Sequence, residues 1–162
     1  GFAYEGSFHS ADVATDGVRE LFGTPDRETT RSNAGPYLNG ATDLIYEEAG
    51  LIATAAPDSW RVQRLVFFLQ ETGEMQASSA RLDSDLPPGA SVEEAIEVYG
   101  SPRARRSEGD DLVALLGEGD VEVLLYEGDY FAGSKRMFKL AFRDGALAAV
   151  ALLDNYAEHA PR

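Results

Sequence analysis

The feature that most constrains the fold is a weak internal repeat. Residues 18–25 (VRELFGTP) and 95–102 (AIEVYGSP) each combine an amphipathic helical end with Gly, a small hydroxyl residue and Pro. Glycine just past a helix adopts the left-handed conformation at low cost, and a proline two residues later prevents the helix from continuing. Because the same ending occurs twice, the sequence predicts two related structural units.

The order of elements around each ending also repeats. The second helix is expected to begin at Ser91, where Ser91-Val92-Glu93-Glu94 fits a capping box, and the first near Ser10. Each ending is followed by a polar stretch and then by β-rich runs bounded by turn signals. These runs are residues 44–46, 51–55 and 62–69 in the first half, and 112–116, 121–126, 136–142 and 146–153 in the second.

These patterns predict an α+β fold of two related helix-plus-antiparallel-sheet halves packed side by side. A stretch containing Pro87-Pro88-Gly89 joins the halves, and the boundary near Asp85 gives units 1–85 and 86–162. A unit of this size is only marginally stable alone. We therefore expect one continuous sheet, or two adjoining ones, with helices on one face and the other face open to solvent or a partner.

The charge balance restricts the class of partner. The 162 residues include 28 Asp and Glu against 14 Lys and Arg, for a formal charge of −14. Such a chain is repelled by nucleic acid and by anionic membrane surfaces, and it attracts basic proteins. We expect a basic protein partner, no nucleic acid and no membrane insertion. The alternative is that the acidity only keeps the protein soluble.

Residues typical of catalytic and metal sites are scarce. The chain has no cysteine, and its two histidines, His9 and His159, lie near the chain ends without a nucleophile or ligand at a motif spacing. Nucleotide-binding and hydrolase motifs are missing. We expect no enzyme activity, no cofactor and no metal. An enzyme using paired carboxylates would need a pocket that holds two of them.

One segment of the second half is the candidate partner-binding site. From Glu108 to Asp129 eight residues are acidic and none is basic, and two aromatic residues follow directly. Large aromatics in a loop rimmed by acids favour docking to a cationic protein. The predicted binding residues are Asp111, Asp120, Glu122, Glu127, Asp129, Tyr130 and Phe131, joined by Trp60. The alternative for the aromatics is packing against the protein's own core.

The twice-repeated order of helix, Gly-(Ser/Thr)-Pro, polar loop and antiparallel strands resembles the tandem-repeat fold of the beta-lactamase inhibitor protein and related small outer-membrane lipoproteins. It is also similar to bacterial immunity proteins that neutralise a toxin. The resemblance covers roughly residues 10–154. The chain departs from the pattern in its lack of cysteines, including the lipoprotein-type cysteine near the start.

The resemblance implies inhibition by occlusion, without catalysis. An immunity or inhibitor protein is the leading expectation, and an envelope assembly or scaffold protein of the lipoprotein type is the alternative. The chain begins at Gly1 without the basic and apolar regions of a signal peptide. A cytoplasmic location is favoured, and a periplasmic or secreted one remains open if a signal peptide has been removed.

Overall fold

The computed structural model describes residues 2–5, 7–9, 15–31, 40–56, 62–82, 86–129 and 135–153. Its described helices are α1 (Thr15–Phe22), α2 (Val92–Tyr99) and α3 (Asp111–Leu116). Its described strands are β1 (Phe2–Tyr4), β2 (Ser7–His9), β3 (Arg27–Thr30), β4 (Thr42–Tyr46), β5 (Leu51–Ala55), β6 (Val62–Phe68), β7 (Arg81–Leu82), β8 (Ala104–Arg106), β9 (Val121–Asp129), β10 (Lys135–Arg143) and β11 (Ala146–Leu153). Sheet therefore dominates the described fold, and α+β describes it only loosely.

Eight of these strands form one antiparallel sheet in the order β3-β4-β5-β6-β11-β10-β9-β8. Two meanders, β3 to β6 and β8 to β11, run outward from the centre, where β6 pairs with β11 and Leu65 lies opposite Leu152. The expectation of one continuous sheet is confirmed. A second sheet, in the order β2-β1-β7, lies against the first through Phe2, whose ring centroid is 4.8 Å from that of Phe67.

Both helices predicted from the repeat end where the sequence indicates. The amide of Gly23 donates to the carbonyl of Arg19 at 2.8 Å, and the amide of Gly100 donates to that of Ile96 at 2.7 Å. Both glycines have positive φ, +83° and +81°, which a residue with a Cβ rarely adopts. The capping box predicted at Ser91 is present.

Two buried tyrosines hold the two helix ends by matching contacts. The hydroxyl of Tyr46 on β4 donates to the carbonyl of Gly23 at 3.0 Å, and the hydroxyl of Tyr126 on β9 donates to that of Gly100 at 2.9 Å. Burial raises the pKa of both hydroxyls, and in each case the charge of a nearby arginine opposes this increase. The sheet therefore fixes the ends of both helices through the same kind of hydrogen bond.

The segment predicted as the strand 112–116 is instead helix α3, so that prediction is wrong. The carboxylate of Asp110 accepts the amide of Leu112 at 3.0 Å and caps the helix, which ends at Gly117. A short apolar run does not distinguish a strand from a buried helical turn by periodicity alone. Leu112 and Leu116, four residues apart, both bury their side chains against the sheet.

The two faces of the eight-stranded sheet are both covered. On the first face, Val18 of α1 and Ala95 of α2 pack on a core that includes Leu65 and Phe67. On the second face, α3 packs on a core that includes Val66. The expectation of an open second face is therefore wrong. Successive residues of a strand point to opposite faces, and here the side chains on both faces are apolar, so both faces must be shielded from water.

Candidate functional site

A network of charged side chains crosses the second face of the sheet. Each member is contributed by a strand, by the residue after one, or by the start of α3, and most of the network is shielded from solvent. Its members, called here the ion network, are Arg31, Asp43, Arg64, Arg106, Asp110, Asp111 and Lys139. The strand pattern brings together residues that lie far apart in the sequence.

The most buried pair of the ion network joins Lys139 of β10 to Asp110. The ammonium nitrogen lies 2.8 Å from the carboxylate Oδ2, which also lies 3.2 Å from a guanidinium nitrogen of Arg106. Both Lys139 and Asp110 are 5% exposed. Because Asp110 also caps α3, this carboxylate links the helix to β10 and β8.

Asp111 ties the other side of the ion network to β6. Its carboxylate accepts from Arg64 and lies 3.8 Å from Arg31, whose Nε donates to Asp43 at 2.9 Å. Partial burial raises the pKa of Asp111, but the charge and hydrogen bond of Arg64, with smaller contributions from Lys139 and Arg31, outweigh it. The pKa of this carboxyl therefore lies below its ordinary value.

Sequence reasoning did not single out Arg64 and Lys139 as site residues. A signal for them is present, because Arg64 is the single charged residue of β6 and Lys139 lies between the apolar residues Phe138 and Leu140 of β10. Such a residue must find a partner on the same face of the sheet. Which partner it finds depends on α3, whose position over the sheet the sequence does not indicate.

The acidic segment 108–129 is not a uniformly negative surface. Glu122 binds Arg105 and Glu127 binds Arg103 across the β8–β9 edge, while Asp111 lies in the ion network. Arginines from the preceding segment therefore neutralise much of its charge. Arg103 and Arg105 are themselves engaged by these carboxylates within the protein.

The remaining predicted binding residues are divided between an exposed turn and undescribed positions. Asp120 is exposed and precedes β9, and its backbone amide donates to the carboxylate of Asp144 at 2.9 Å. The side chain of Asp129, and the whole of Tyr130, Phe131 and Trp60, lie outside the described residues. Their role in binding stays a prediction.

A cleft of about 530 Å³ lies at the β8 edge of the sheet. It brings the predicted residues Asp120 and Glu122 to one surface. The lining is completed by residues of β8, α3, β9 and the segments next to them: Arg105, Arg106, Ser107, Val113, Gly119 and Val121. Because Arg105 forms an ion pair with Glu122, this surface carries both positive and negative charge.

The outer surface of α1 and α2 carries exposed carboxylates. Asp16 and Glu20 lie on α1, and Glu93 and Glu97 lie on α2, beside Val98, whose exposure is 49%. We call these residues the acidic helical surface. Helix α2 contains no basic residue, so its charge is not balanced within the helix. Sequence reasoning about the segment 108–129 did not find this surface.

Every Lys and Arg side chain that the structure describes is engaged within the protein. Most bind carboxylates, and two donate to uncharged oxygens. The carboxylate-bound set is Arg19, Arg27, Arg31, Arg64, Arg103, Arg105, Arg106 and Lys139, and the remaining pair is Arg81 and Arg143. The uncompensated charge of the described surface is consequently negative.

Within the described ranges, no group of three or more His, Asp or Glu side chains has an arrangement that would hold a metal ion. None of the helices in those ranges has the length and apolar character needed to cross a membrane. Comparison with known protein families, curated proteins and solved structures finds no match to this chain.

Proposed function

We propose that this chain is an acidic binding protein that occludes a basic protein partner, as an immunity or inhibitor protein does. The observation that carries the proposal is the division of charge on the described surface. Basic side chains are held in intramolecular contacts, whereas the carboxylates of the acidic helical surface are exposed. A cationic partner would meet free negative charge there.

The acidic helical surface has the composition expected of a docking site. Val98 supplies apolar area at 49% exposure, and Glu93 and Glu97 supply charge on the same short helix. The capped α2 holds these side chains on a regular element, which limits the entropy lost on binding. A basic protein with an apolar contact at the centre of its patch fits this arrangement.

The second candidate surface is the predicted docking loop with Asp129, Tyr130 and Phe131. It is proposed on the sequence pattern of acids beside large aromatics. The ion pairs of Glu122 and Glu127 reduce the negative charge on the strand that leads into it. For that reason we place the main charge attraction on the acidic helical surface.

The test begins with capture of a partner from a lysate of the native organism, followed by calorimetry with the purified partner at low and moderate salt. The decisive variant is Glu93→Lys with Glu97→Lys. Its matched control is Glu71→Lys with Glu118→Lys, which changes the net charge equally at exposed carboxylates away from α2. A third variant combines Asp129→Lys, Tyr130→Ala and Phe131→Ala.

We expect a basic partner whose affinity falls by about tenfold or more in the α2 variant, falls much less in the control, and decreases with salt. Loss of binding only in the third variant would support the function but move the site to the loop. Equal losses in the α2 variant and its control would show that net charge alone acts. A partner that is not basic and whose affinity does not depend on salt would contradict the proposal and favour a scaffold role.

A further inference from the structure

Strand β9 begins beyond the end of its neighbour β8. The two strands pair antiparallel with Arg106 opposite Val123, and Arg106 is the last residue of β8. Two residues earlier on β9, Val121 would lie opposite position 108, but there the chain has already left β8 on its way to α3. Among the described residues, the start of β9 therefore has a neighbouring strand on the β10 side only.

The main chain of Val121 points toward this unpaired side. The amide of Asp144, just past β10, donates to the carbonyl of Asp120 at 2.8 Å. Consecutive residues of an antiparallel strand direct their amide and carbonyl groups alternately to one neighbour and the other, so those of Val121 face away from β10. No group that the structure describes bonds to them. Val121 is 6% exposed, and main-chain groups of buried residues normally have a partner.

In the first meander the corresponding position is filled. Ala41 precedes Tyr46 by the same number of residues as Val121 precedes Tyr126. The chain there continues past the end of β3, and the amide of Arg31 donates to the carbonyl of Ala41 at 2.8 Å. In the second meander the chain turns toward α3 instead, so β9 keeps a place for one more stretch of extended chain.

The cleft of about 530 Å³ lies at this place. Val121 and Glu122 both line it, and successive residues of a strand point to opposite faces, so the cleft lies at the edge of the sheet and not on one face. Ser107 and Val113 of α3 complete its walls. Its volume is within the range of about 300 to 1,000 Å³ that is typical of ligand clefts.

The charge beside the cleft favours a basic ligand. Glu118 and Asp120 precede β9, Asp144 lies next to them, and all three are exposed. No cation of the described ranges forms an ion pair with any of these carboxylates, whereas Arg105 in the cleft lining is paired with Glu122. A lysine or arginine side chain that enters the cleft would therefore meet an uncompensated carboxylate at Asp120.

We infer that the unpaired start of β9, called here the β9 notch, binds a short extended peptide segment of the basic partner. The main chain of the segment bonds to the amide and carbonyl of Val121, and its basic side chain meets Asp120. When an extended segment adds to a sheet edge, main-chain hydrogen bonds supply affinity and side-chain contacts supply specificity. The inference rests on the proposed function for the source of the segment, but the β9 notch can be tested with peptides alone.

The test is a titration of the full, ¹⁵N-labelled chain with a capped pentapeptide of alternating lysine and valine. The readouts are the backbone amide resonance of Val121 and the hydrogen-exchange rate of that amide. We expect a saturable shift and slower exchange, because a peptide carbonyl becomes the acceptor of this amide. Full N-methylation of the peptide removes its donors and keeps its charge, and glutamate in place of lysine reverses its charge. Each change should weaken binding by about fivefold or more.

The protein variant that tests the charge contact is Asp120→Asn. It should weaken binding of the lysine peptide by about threefold to fivefold, because it removes one exposed ion pair. Glu48→Gln, an exposed carboxylate in the β4–β5 turn of the other meander, is the matched control. It changes the net charge equally and should bind the peptide as the wild type does.

The inference is overturned if the Val121 amide shows no saturable response, if the N-methylated peptide binds as tightly as the unmodified one, or if Asp120→Asn and its control behave alike. Shifts confined to α1 and α2 would also overturn it and would leave the proposed function standing. A response at Val121, combined with no capture of a basic protein from the lysate, would support the β9 notch and count against the proposed function.

Discussion

The two meanders of the sheet share their framework but not their charges. In one, Tyr46 follows Ile45, which lies opposite Ile52; in the other, Tyr126 follows Leu125, which lies opposite Lys139. Lys139 thus occupies the place that corresponds to Ile52. The tyrosines of both meanders bind a helix-terminal glycine, whereas a buried lysine is present on one side only.

The next pair of positions on the same face of the sheet also differs in charge between the two meanders. Thr54, two residues after Ile52, lies opposite Arg64, and Ala141, two residues after Lys139, lies opposite Ala149. The residues that bind the helix ends are therefore alike in the two meanders, whereas the residues beneath α3 differ from their counterparts. Helix α3 follows β8 directly, and it supplies the carboxylates that allow Lys139 and Arg64 to be buried.

The largest expected effect tests the buried lysine against its apolar counterpart. Lys139→Met leaves the carboxylate of Asp110 buried with Arg106 as its remaining cation, and should lower the free energy of unfolding by about 3 to 5 kcal/mol. Ile52→Met, the matched control, should cost about 1 kcal/mol. Both are measured by denaturant unfolding. Adding Asp110→Asn should recover part of the loss, and a Lys139→Met protein as stable as the control would contradict the assignment.

The second test compares a turn in each meander. Gly50 has φ +64°, and a Cβ there would lie 2.2 Å from the carbonyl oxygen of Gln76 and 2.8 Å from the amide nitrogen of Ser78. Gly50→Ala should therefore cost about 2 to 3 kcal/mol, from backbone strain and from the clash. Gly145→Ala, with φ +81° and open space, should cost about 1 kcal/mol. Equal midpoints in thermal unfolding would argue against the close contact at Gly50.

The third test asks whether the two tyrosine bonds are equivalent. Tyr46→Phe and Tyr126→Phe each remove one hydrogen bond to a glycine carbonyl and should each cost about 1 kcal/mol. The double variant should show the sum, because the two sites share no partner. Denaturant unfolding of the three variants gives the comparison. A difference of more than about 1 kcal/mol between the single variants would break the equivalence.

The smallest effect concerns Asp111, whose pKa is lower in the folded protein than in the unfolded chain. Its stabilising contribution is present above the unfolded pKa, near 4, and is lost as the pH falls through the folded value. Asp111→Asn should be less stable than the wild type at pH 7 by no more than about 1 kcal/mol, because the side chain is partly exposed. The difference should disappear in acid.

Unfolding at a series of pH values checks this prediction. Glu118→Gln, an exposed carboxylate just beyond α3, serves as the control and should match the wild type throughout. A deficit in Asp111→Asn that persists unchanged below the unfolded pKa would show that the carboxylate acts through something other than its charge.

Local signals in the sequence were sufficient for the helix ends and for most strands. The Gly-(Ser/Thr)-Pro endings placed the ends of α1 and α2, because these signals depend on backbone conformation within a few residues. The segment 112–116 failed the same reasoning. Its conformation depends on the Asp110 cap and on which face of the sheet it covers.

The pairing of charges was predicted less well than the fold. The segment 108–129 is purely acidic in the sequence, but in the fold Arg103 and Arg105 from a neighbouring strand region reduce its negative charge. Glu93 and Glu97 received no attention as binding residues, because a capped amphipathic helix gives no indication that its outer acids lack partners. Pairing between distant charges is a property of the folded chain.

The sequence by itself determined the periodic elements, their endings and the negative net charge, all of which depend on neighbouring residues or on composition. Only the tertiary structure decided that the sheet is covered on both faces, that the start of α3 places the carboxylates of Asp110 and Asp111 beside Lys139 and Arg64, and that two buried donors of Arg64 have no acceptor among the described residues. The physical reason is that electrostatic partners are selected by distance in space. Residues 64, 110 and 139 lie close together only when strands and helix have packed.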